Sequence, residues 1–104
     1  MSNPRHWWYG FIKRAIRSWG KDPEKTEPAY VMLNTAVRTA FEEVGKKEDA
    51  ELQVKAINMV LIKCTHTIDG AALELNMSKR QIQRYVNAFV NRVGVLMGYD
   101  GAKR

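Results

Sequence analysis

The sequence predicts an all-α fold, a small bundle of about five helices in one domain over residues 1–104, with the last two helices forming a helix-turn-helix at about residues 67–90. Three observations predict it. Apolar residues recur at intervals of three and four along each long stretch, prolines and capping residues fall between those stretches, and 104 residues at 45% hydrophobic content fit one core better than two.

Pro4 suits the first position of a helix, with Ser2 or Asn3 as its cap. Trp8, Phe11, Ile12, Ala15, Ile16 and Trp19 then form an apolar stripe opposite Arg5, Lys13, Arg14 and Arg17, and Gly20 marks the expected stop. In this stripe Trp8 and Trp19 are read as packing residues, and Trp7 and Tyr9 as exposed contacts. Asp22-Pro23 and Glu27-Pro28 break the chain, with Thr26 or Glu27 as cap and Pro28 opening a second helix. Leu33, Val37, Ala40, Phe41 and Val44 face inward along it, and Gly45 with the charged run to Asp49 ends it. A third helix is expected from about Ala50 to Cys64, burying Val54, Ile57, Val60, Leu61 and Cys64. Cys64 is read as a small buried hydrophobe rather than a nucleophile.

A short helix from Thr67 to Leu75, the tripeptide Asn76-Met77-Ser78 and a long amphipathic stretch from Lys79 to Met97 complete the chain. Asn76 tolerates the left-handed backbone that a tight turn between helices needs, although Gly is commoner there. Ala72 is small enough for a close crossing, and Ala71, Leu75, Met77, Ile82 and Tyr85 fall where the two helices bury side chains. Ser78 is a good N-cap, and Ser78-Lys79-Arg80-Gln81 reads as a capping box. The outward positions of the second helix are Ser78, Lys79, Arg80, Gln83, Arg84 and Asn87, none of them acidic. Arg pairs with guanine, Gln and Asn with adenine, and Lys neutralises phosphate. Ser78, Arg80, Gln83, Arg84 and Asn87 are therefore the expected base contacts. Lys79, Thr65, Thr67, Arg14 and Arg17 are the expected phosphate contacts.

Charge supports a polyanionic partner. The net charge is +6, with +5 over residues 1–21, −4 over 22–51 and +5 over 52–104. One cysteine and two distant histidines give no zinc spacing, and no glycine-rich phosphate loop, nucleophile motif or carboxylate pair is present, so neither an enzyme nor a metal or other cofactor is expected. No apolar run nears the ~18 to 20 residues of a membrane span, and no secretory leader is visible, so a cytoplasmic protein without a membrane partner is expected.

The stretch from Thr65 to Tyr85, THTIDGAALELNMSKRQIQRY, resembles the C-terminal helix-turn-helix of phage late-gene transcriptional regulators of the RinA and ArpU type, a motif similar in turn to region 4 of sigma factors. The opening PRHWWY at 4–9 and the closing LMGYD at 96–100 also look like the ends of such proteins, whereas residues 20–60 match only in being helical. The resemblance implies sequence-specific binding of double-stranded DNA in a bacterial host cell, transcriptional control of phage genes and host RNA polymerase as a partner. Two other readings stay open: a DNA-packaging protein of the small-terminase kind, and a helical protein-interaction module that binds no DNA. The apolar continuation of the last helix through Val86, Phe89, Val90, Val93, Leu96 and Met97 exceeds what a three-helix unit needs to bury. It calls for a cover, either the N-terminal helix or a partner chain in a homodimer, and the dimer is the expected assembly.

Overall fold

The computed structural model describes residues 8–21 and 28–99, apart from the side chains of residues 28 and 29. Among the described residues five α-helices follow one another: α1 Tyr9–Lys21, α2 Pro28–Val44, α3 Ala50–Ile57, α4 Ile68–Leu75 and α5 Lys79–Leu96. The all-α class is as expected, and no strand occurs among the described residues. The caps and breaks expected at Ser2, Asn3, Pro4, Asp22, Pro23, Thr26 and Glu27, and the exposed contact expected at Trp7, lie outside the described residues.

Helix α5 is the centre of the bundle and packs against each of the other four helices. Its apolar stripe explains why. Ile82, Tyr85, Val86, Phe89, Val90 and Val93 recur at helical spacing and are all buried. The continuation of that stripe is covered within the chain by α1 and α2: Phe41 of α2 meets Phe89 at 4.6 Å between ring centroids, and Trp8, at the head of α1, is fully buried against Gly94. Leu96 and Met97, at the end of that apolar length, are partly buried against the same core. Glu43 of α2 and Arg92 of α5 add a two-pronged ion pair at 2.6 and 2.8 Å, and Arg92 holds the Glu43 carboxyl below its ordinary range.

Helix α1 differs from expectation in three ways. Phe11 lies more than half exposed, beside Tyr99, while Tyr9 is buried and donates its hydroxyl proton to Asn87 of α5. Tyr9 follows Trp8 into the core because its phenol finds a partner there, which makes burial of a polar tip affordable. Gly20 does not stop the helix. It lies inside α1 where the helix crosses the segment after α3, and a β-carbon there would stand 2.5 Å from the carbonyl oxygen of Ile62. Trp19 donates from Nε1 to Asn34 Oδ1 at 3.0 Å and so ties α1 to α2.

The third helix ends earlier than its apolar spacing suggests. It passes at Asn58 into a π-helical turn, Asn58–Ile62, closed by Lys63 N–H to the Asn58 carbonyl at 2.8 Å. Cys64 then adopts a left-handed backbone with φ +52° and is exposed. Its expected burial is therefore wrong: the extra residue of the π-helical turn shifts the register, and the reversal at Cys64 turns its side chain off the inward stripe.

Candidate nucleic-acid interface

Helices α4 and α5 are joined by Asn76, Met77 and Ser78. Asn76 takes the left-handed conformation, φ +57° and ψ +48°, as its side chain led one to expect. Met77 N–H bonds to the Ala72 carbonyl at 2.9 Å and Asn76 N–H to the Leu73 carbonyl at 3.3 Å, the paired bonds of a Schellman ending. Ala71 and Ala72 are buried at the contact with α5, while Leu75 and Met77 pack partly buried against the same core.

Thr67 caps α4, its hydroxyl accepting from Gly70 N–H at 3.0 Å, and Ser78 caps α5, accepting from Gln81 N–H at 3.1 Å. Only half of the expected capping box forms. The Gln81 side chain runs forward instead, donating to the Tyr85 hydroxyl at 3.0 Å. That hydroxyl donates in turn to Asp49 at 2.6 Å, and Gln53 donates to the other Asp49 oxygen at 2.7 Å. A forward bond into this part-buried network outweighs a solvent-exposed bond back to Ser78. The hydrogen bonds from Tyr85 and then Gln53 hold the Asp49 carboxyl below its ordinary range. Burial first, and the neighbouring Asp49 second, push the Tyr85 phenol up.

The expected reading face is continuous on α5. Ser78, Lys79, Arg80 and Arg84 are exposed, and Gln83 and Asn87 are half-buried. Asn87 is more committed than its position in the sequence suggests: its carbonyl oxygen accepts from Gln83 at 2.9 Å and from Tyr9. These bonds fix the orientation of the Asn87 amide and keep Gln83 folded along the helix. Lys79 reaches Asp69, in the first turn of α4, at 3.6 Å.

The expected phosphate contacts divide. Arg17, Thr65 and Thr67 line one cleft of about 480 Å³ together with Lys13, which the sequence pattern marks only as part of a basic face. Arg14 does not join them. It lines an apolar groove with Phe11, Ala15, Tyr30 and Leu33. At the cleft, Thr65 and His66 share a hydrogen bond at 2.9 Å, and the other ring nitrogen of His66 meets Glu74 at 2.9 Å.

Among the described residues no group of three or more His, Cys, Asp or Glu is placed to hold a metal ion, and no helix is long and apolar enough to cross a membrane. No family model matches the chain, and no curated protein or solved structure matches it.

Proposed function

We propose that the protein is a sequence-specific double-stranded DNA-binding regulator of transcription, of the kind that controls phage genes, in which α4, the turn and α5 act as a helix-turn-helix and α5 reads the major groove. The single observation that carries this reading is the start of α5. The positive end of a helix dipole favours acidic side chains, yet the first turns of α5 hold Lys79, Arg80 and Arg84, all exposed, and no acid in the first turn. Lys79 and Arg80, in the first turn, each cost about a few tenths of a kcal/mol there, and an anion laid against the helix start removes the cost. A nucleic-acid backbone supplies that anion in a row.

Arg80, Gln83, Arg84 and Asn87 are spaced by three and four residues and so share a face, which is the geometry for reading base edges over the first turns of a recognition helix. Arg80 and Arg84 supply the paired donors suited to guanine. Asn87 and Gln83, held by each other and by Tyr9, present a fixed polar surface beside them. Host RNA polymerase as a partner and a bacterial cytoplasmic location belong to the same proposal.

Titration of duplex DNA at several salt concentrations, with mass measurement in solution, tests this reading. A groove-reading regulator gains affinity steeply as salt falls and binds as one or two chains. Affinity that ignores salt means a protein-interaction module, and a ring of many subunits means a packaging protein.

A further inference from the structure

The polar face of α5 does not end at Asn87. Asn87 accepts from Tyr9, and Tyr9, Lys13 and Arg17 stand at intervals of four on α1, so they form one stripe leading away from α5. That stripe runs into the cleft lined by Lys13, Arg17, Thr65, His66 and Thr67, at the N-terminus of α4. From the other side, Lys79 at the start of α5 lies beside Asp69, two residues past Thr67. The cleft and the reading face are thus neighbours on the surface.

The cleft has the composition of an oxyanion seat. Two cations from α1 and two threonine hydroxyls line it, and among the described residues no carboxylate does; of the acids on α4, Asp69 meets Lys79, and Glu74 meets the His66 ring at the cleft's edge. The Thr67 hydroxyl accepts from Gly70 and keeps its own proton to donate. The first amides of α4 have no carbonyl within their own helix to bond. The Nε–H of Arg17 is buried and meets no acceptor among the described residues, which is costly unless something else accepts it.

We propose that this cleft binds a phosphate-ester oxyanion through Lys13, Arg17 and Thr67, and that its occupant is a backbone phosphate of the duplex read by α5. The occupant rests on the function proposed above; the seat itself does not. Helix α1 becomes a sequence-blind clamp that sets the register of α5 on the duplex.

The test uses Cys64, the single cysteine, which is exposed on the same cleft. Its rate of alkylation by neutral iodoacetamide is measured alone, with inorganic phosphate and with duplex DNA, alongside DNA titrations across salt for the wild type, Arg17→Gln and Lys13→Gln. The proposal expects strong protection by duplex and weak protection by phosphate. It also expects a uniform loss of affinity on all duplexes in both variants, with a salt slope shallower by about one unit for each lost contact. Protection by phosphate with unchanged DNA slopes in both variants overturns the backbone as occupant and leaves a site for free phosphate. DNA binding with no protection by either probe overturns the seat while the reading by α5 stands. Absence of DNA binding, with phosphate still protecting, overturns the proposed function and leaves the seat. Circular dichroism of the variants shows whether each is folded, and a variant that is not is replaced by Arg17→Met or Lys13→Met.

Discussion

Gly94 lies so close to Trp8 that a β-carbon at position 94 would stand 2.2 Å from the indole ring. This is where the head of α1 locks onto the end of α5, with the Tyr99 ring tilted against the indole at 5.6 Å between ring centroids. Gly94→Ala is therefore expected to lower stability by about 1 to 3 kcal/mol in denaturant unfolding, because the crowded atoms belong to a rigid ring in a filled core. Trp8→Ala is expected to cost about 3 to 5 kcal/mol, and the double variant less than the sum of the two.

Asn76 and Cys64 both hold left-handed backbone without being glycine. Replacing Asn76 by Val, whose branched β-carbon fits that conformation poorly, is expected to cost about 1 to 2 kcal/mol, while Asn76→Gly leaves thermal stability nearly unchanged or slightly raised. A Val variant as stable as the wild type shows that the turn takes another conformation.

The Asp49 carboxyl, bonded by Tyr85 and Gln53, is lowered in the folded state. A carboxyl lowered on folding contributes stability that is present above its unfolded value, near 3.8, and is lost as pH falls through the folded one. Tyr85→Phe is expected to flatten the acid side of the stability profile below about pH 4 without moving its neutral plateau by more than the loss of one hydrogen bond, ~1 kcal/mol. Unfolding midpoints measured from pH 2 to pH 7 show whether the two profiles converge in acid.

The buried cover supplied by α1 and α2 to the apolar length of α5 leads to a chain that stays monomeric without DNA. Light scattering over a concentration series is expected to give the mass of one chain throughout, and a dimer at the lowest concentrations contradicts it.

Much of this architecture is legible in the sequence because its signals are local. Pro28 opens α2, Asn76 sets the turn and Ser78 caps α5, each through its own covalent geometry or its own side chain. What escapes is decided by distant partners. Nothing in the residues after Ile57 announces a π-helical turn, and without it the exposure of Cys64 has no signal. Tyr9 is buried because Asn87 waits 78 positions away, and Lys13 joins the cleft because α1 crosses the π-helical turn at Gly20. The four-residue spacing of Tyr9, Lys13 and Arg17 is the available hint, since it sets them on one face.

The most direct test of the account is the affinity ratio between a duplex selected from random sequences and a scrambled duplex, measured at one salt concentration for the wild type, Arg80→Ala, Gln83→Ala and Lys79→Ala. A reading helix predicts that Arg80→Ala or Gln83→Ala lowers the ratio by about 5- to 150-fold, the equivalent of ~1 to 3 kcal/mol, and relaxes preference at one base position. Lys79→Ala is expected to weaken both duplexes alike and leave the ratio unchanged. Selection that yields no preferred sequence, or equal losses on both duplexes for all three variants, contradicts base reading by α5.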